Sequence, residues 1–110
     1  MPAPLETMSD ALRRLAARGF THELVADDGR LRDVVTGERH DPELLSIAET
    51  VRFEGASDPD EQAILLALES PSGRPLGTYA TAYGAATPPE AVRVVRRIGL
   101  RSSAARHSSA

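Results

Sequence analysis

Arg52, Glu54, Asp58, Asp60 and Glu61 fall within ten residues of one another, and Tyr83 closes a later strand-like stretch. An arginine beside carboxylates can hold an anion, and a carboxylate so placed can act as a base or a metal ligand. A phenol at the same end could line the pocket. The competing reading of the same residues is an Arg–Glu pair on the wet face of a strand, followed by a solvated acidic turn. The run Asp58-Pro-Asp-Glu61 lacks the ligand order and the glycine of a calcium loop. Arg52, Glu54, Asp58, Asp60 and Tyr83 therefore form a candidate polar patch. No residue is assigned a catalytic role, and no metal or cofactor is expected.

Other reactive side chains are scattered. Tyr79 and Tyr83 share a strand face with Thr81, where they either line a pocket or pack as the large aromatics of the sheet. His22, His40 and His107 are isolated. His40-Asp41 could be an oriented imidazole, but no nucleophile elbow and no His pair of zinc spacing accompanies it. Five arginines from Arg93 to Arg106 make a local basic stretch. It lacks the aromatic platforms of a nucleic-acid surface and reads as a solvated helix face.

The elements that must position these groups begin with a helix. Thr7 is its N-cap, Asp10 the capping-box partner, and Met8, Leu12 and Leu15 follow at helical spacing. Gly19 supplies a left-handed end, onto which Phe20 can fold back. Thr21 to Ala26 and Leu31 to Val35 read as a hairpin about Asp27-Asp-Gly29. Residues 36–42 read as loop, and 42–45 as one helical turn. Ser46 to Glu54 alternates as a strand with Ile47, Val51 and Phe53 on one face, an alternation that Glu49 interrupts.

Residues 62–69 carry both a helical composition and a strand context. The turn at Pro71-Ser-Gly-Arg-Pro75 and the strand-like Thr78 to Tyr83 favour a strand. Such a strand, apolar on both faces, needs cover on both sides from a helix or a partner subunit. A last helix follows Thr87, with Pro88 first and Glu90 completing a capping box. Ala91, Val94, Val95 and Ile98 form its apolar stripe.

The expectation is a single-domain α+β fold over residues 7–100: an N-terminal helix, an antiparallel sheet of about five strands, and a C-terminal helix, with both helices on one face. Residues 1–6 read as an extension and 101–110 as a disordered tail.

Composition limits the function classes. A chain of 110 residues supports one core. With 4% aromatic residues, that core must be built of Leu, Val, Ile and Ala. A core of small side chains makes a modestly stable monomer, for which dimerisation is a natural remedy. The net charge of −3 gives no general attraction to nucleic acid or anionic membranes. The absence of cysteine excludes disulfides and thiol chemistry. No apolar run is long enough to span a bilayer, and the first residues lack signal-peptide character, so a cytoplasmic location is expected.

The segments Arg52-Phe-Glu-Gly55, Ser57-Asp-Pro-Asp60 and Ala82-Tyr-Gly84 resemble those of a family of bacterial proteins of about this length. More weakly, so does the front of the chain, where a helix runs into Arg18-Gly-Phe-Thr21. The resemblance covers roughly residues 8 to 98, and some members carry the label phosphoribosylpyrophosphate synthetase. It implies a shared fold and a shared patch and, through the label, a link to phosphate or nucleotide handling. The chain departs from the pattern at Val51, where an aromatic is common. It also has no lysine and no glycine-rich phosphate loop.

The function expected is that of a small binding or regulatory module, acting as a homodimer on a ligand the residues do not name. The alternative is a small phosphate- or nucleotide-binding enzyme or accessory protein.

Overall fold

The structure, a computed structural model, describes residues 6–54, 62–83 and 87–98, with the backbone alone at Glu54 and Tyr83. The first element is helix α1 (Met8–Ala16). Its capping box forms as the sequence predicts: the Asp10 amide donates to the Thr7 hydroxyl at 3.0 Å, and Asp10 accepts from the Thr7 amide. Gly19 has φ +102°, and the Phe20 amide donates back to the Leu15 carbonyl.

Strands β1 (His22–Asp27) and β2 (Arg30–Asp33) form the predicted hairpin, with left-handed residues Asp28 and Gly29 in its turn. Strand β3 (Arg39–His40) then pairs with β2 from within the stretch read as loop. Two residues are too short to show an alternation. A 3-10 turn (Pro42–Leu44) leads to β4 (Ser46–Glu54), β5 (Gln62–Glu69) and β6 (Pro75–Tyr83). Helix α2 spans 89–98, with Pro89 as its first residue; the Pro88 carbonyl accepts from the Val92 amide. The expected tail lies outside the described residues.

The sheet has six strands in the order β3-β2-β1-β6-β5-β4. Two antiparallel meanders, β1-β2-β3 and β4-β5-β6, join along one parallel pair, β1 and β6. The sheet is therefore mixed, a correction to the antiparallel expectation. Short connections dictate antiparallel pairing within each meander but place no condition on how the two meet.

Strands β3 and β4 are opposite edges of the sheet, yet only residues 41–45 separate them. A flat six-stranded sheet would hold its edges about 24 Å apart. A link of this length containing a 3-10 turn reaches roughly 16 Å. The sheet must therefore curl.

The two helices lie on opposite faces, which corrects the one-sided arrangement expected. Ile64, Leu66 and Leu68 of β5 join Leu24, Leu31, Tyr79 and the α2 residues Ala91, Val94 and Ile98 in one core. Leu65 and Ala67 join Ala11, Leu15 and Phe20 beside α1 in a second. The doubly apolar β5 thus finds both covers within its own chain. The interruption at Glu49 is a β-bulge between Ile47 and Glu49. It sends Ile47 to the α2 core and leaves Val51 and Phe53 beside α1.

Ion pairs between distant segments tie the helices down. Arg14 of α1 lies 2.6 Å from Glu49 and 2.7 Å from Glu6, and Arg18 lies 2.6 Å from Glu49. Arg97 of α2 reaches Glu43 at 2.6 Å and donates to the Gly29 carbonyl in the β1–β2 turn. Arg97 thus belongs to the packing of the fold rather than to a free basic face.

Candidate functional site

Of the patch predicted from sequence, Asp58 and Asp60 lie outside the described residues. Glu54 and Tyr83 both stand opposite Gln62, on either side of it, so β4, β5 and β6 bring their backbones into one row. Arg52 and Thr81 flank Ile64 in a neighbouring row. Arg52 itself is exposed. The register gathers the strand-borne members of the patch at one end of the sheet.

A larger feature lies elsewhere. Because α1 packs over β5 and β4, a cleft of about 650 Å³ opens between this helix and strands β1 and β6. Leu12, Ala16 and Phe20 form its helix side, and Val25, Leu65 and Ala80 form its sheet side. Its volume falls within the range of small-molecule sites, roughly 300–1,000 Å³. Leu12 is 39% exposed, unusual for a leucine on the inner half of an amphipathic helix, because it borders the cleft rather than the core.

Polar residues break the apolar lining: Arg13 on α1, Thr21, His22 and Glu23 at the start of β1, and the buried Thr78 and Tyr79 on β6. Glu23 and Thr78 are direct register partners across the parallel pair. Among the described residues, no ion pair engages Arg13 or Glu23. The neighbouring Arg14 and Arg18 are both committed to Glu49.

Sequence reasoning missed this cleft. Leu12 and Leu15, read as one helical stripe, belong to two surfaces: Leu15 enters the core with Ala11, while Leu12 borders the cleft with Ala16. The helical spacing could have shown that the stripe was wider than a single contact requires.

A second grouping also escaped the sequence reading. His22 Nδ1 lies 2.6 Å from Asp33 Oδ2. The carboxylate can only accept, so the imidazole donates. Asp33 is 2% exposed and also accepts from the amides of Val35 at 2.8 Å and Thr36 at 3.2 Å. Burial pushes its pKa up, but the hydrogen bonds from His22, Thr36 and Val35 outweigh burial and hold it below the usual aspartate value. The pair fixes the start of β1 to the end of β2 and closes the turn at 33–36. It orients an imidazole whose side-chain hydrogen bond, among the described residues, goes to this carboxylate. His40-Asp41 forms no such pair; Asp41 instead lies 3.2 Å from Arg30. Tyr79, offered as a pocket phenol, packs in the α2 core, where burial pushes its pKa up.

Among the described residues there is no group of three His, Asp or Glu side chains able to hold a metal, and no helix long and apolar enough to cross a membrane. Comparison with protein-family models, with curated proteins and with solved structures found no match.

Proposed function

We propose that this chain is a cytoplasmic small-molecule binding module, with the cleft between α1 and strands β1 and β6 as its site. The observation that carries the reading is the cleft itself: about 650 Å³ of largely apolar space with a few polar groups at its border. A core built without a second layer over β1 and β6 leaves this face for a ligand. The described polar groups orient and anchor rather than transform, since the one oriented imidazole, His22, has its carboxylate spent on holding a turn.

The homodimer belongs to the same proposal, on a new footing. β4 is a nine-residue strand that ends the strand order of the described sheet. Such an edge is a template for a second copy. Light scattering on the purified chain measures this directly, and a monomer at micromolar concentration rejects it.

The test of the cleft uses a neutral apolar fluorophore, N-phenyl-1-naphthylamine. Its emission rises on entering the cleft and is lost in Ala80→Trp, which fills the floor. Equal binding by that variant and the parent rejects the reading.

A second reading has one observation behind it. Arg52, Glu54 and Tyr83, brought to one end of the sheet around β5, are the strand-borne part of the patch, and the resemblance of their segments to the bacterial family supports phosphate or nucleotide handling there. A thermal-shift series with ATP, ribose phosphates and divalent metals tests it. A saturable shift lost in Arg52→Ala favours this reading over the cleft.

A further inference from the structure

Resting on the cleft as the binding site, we infer that its ligand is a zwitterion with an apolar body: an apolar amino acid, free or in a dipeptide. Arg13 and Glu23 stand on opposite walls, one from α1 and one from β1, and both border the cleft. They form no ion pair with each other or with any other described residue, although α1 and the strands carry several Arg–carboxylate pairs nearby. Opposite charges that border one cavity without meeting leave room for a ligand bearing both complementary charges. A carboxylate takes the guanidinium of Arg13, with bidentate geometry open to it. An ammonium takes the Glu23 carboxylate, and the Thr78 strand position lies beside it in register.

The apolar part of the ligand lies along Leu12, Phe20 and Ala80. Phe20 is only 4% exposed and offers a firmly held ring as a wall. A purely anionic amphiphile would leave its charge near Glu23 as well as Arg13, and a cationic one would meet Arg13. A polar zwitterion without an apolar body would bury Leu12 and Ala80 against nothing. The lining therefore selects for three features at once, two charges and a side chain.

The experiment titrates the full chain with phenylalanine and with leucylphenylalanine, followed by calorimetry and by backbone amide shifts. The N-acetylated and C-amidated forms of each remove one charge at a time, and glycine removes the apolar body. At least one of the two parent compounds binds. Each single-charge derivative of it binds about 10-fold more weakly or worse, and glycine shows no binding. Arg13→Gln abolishes the preference for a free carboxylate, and Glu23→Gln abolishes the preference for a free ammonium. Both residues are exposed, so both variants fold, which circular dichroism verifies.

Binding of an acetylated or amidated form as tight as its parent overturns the inference, as does failure of both parents. Uptake of the neutral fluorophore separates the two levels. If the fluorophore enters the cleft while phenylalanine and the dipeptide do not, the ligand class is wrong and the cleft stands. If the fluorophore is also excluded, the cleft reading itself fails.

Discussion

A Cβ on Gly77 would stand 2.3 Å from the carbonyl oxygen of His22. The two residues are register partners in the parallel pair that joins the two meanders, so the seam of the sheet has no room for a side chain at this position. Glycine is required here by space rather than by backbone conformation.

Gly77→Ala is accordingly destabilising, by about 1–3 kcal/mol or more, because the obstructing atom is backbone and cannot rotate away. Chemical denaturation measures it. A substitution at Gly73, where no atom lies within 4 Å, meets only the cost of φ +84°, about 1 kcal/mol. Equal losses at the two sites would show that the seam is not so closely packed.

The hydrogen bonds to Asp33 predict an acid-sensitive fold. A carboxyl whose pKa is lowered on folding stabilises the protein above its unfolded value and loses that contribution as pH falls through the folded value. Glu43, held down first by Arg97, and Glu49, held down first by Arg14, act in the same direction. The melting temperature therefore falls as pH drops below about 4. Asp33→Asn flattens part of that fall. Asp33→Ala, which strips two amides and His22 of their acceptor, costs about 1–3 kcal/mol at neutral pH.

Glu49 binds both Arg14 and Arg18 in a partly exposed setting. Glu49→Ala is expected to cost about 1 kcal/mol or less. That cost shrinks in 1 M salt, where screening shortens to about 3 Å. A loss unchanged by salt would assign the role of Glu49 to the bulge rather than to its charge.

Leu66 and Leu12 separate folding from binding. Leu66, 2% exposed in the α2 core, loses about 2–5 kcal/mol on replacement by Ala. Leu12→Ala stays within roughly 0.5 kcal/mol of the parent, yet weakens uptake of the apolar fluorophore. Paired denaturation and fluorescence titrations check both halves of this contrast.

Local signals were legible where they act within a few residues. Thr7, Asp10 and Gly19 announced α1, Asp28-Gly29 the first hairpin, and the turn at 71–75 with the strand-like residues after it marked 62–69 as a strand. The charge of Glu49 marked an irregularity in β4, but only the pairing with β5 showed a bulge that reverses the face of Ile47. The cleft was not legible at all. Leu12 and Ala16 have the same residue types as their core neighbours, and nothing local distinguishes a leucine facing a cavity from one facing a packed strand. Arg97 was read as part of a solvated helix face because its partner, Glu43, lies far along the chain.

By itself, the order of residues determined both helices, every strand but β3, and that β5 needs cover on both faces, since capping, turn geometry and alternation are short-range effects. Tertiary structure alone decided that β1 meets β6 in parallel, that α1 and α2 take opposite faces, and that α1 leaves part of the sheet open. These follow from how two separately formed meanders close around a curled sheet, a choice made by contacts between residues more than fifty positions apart.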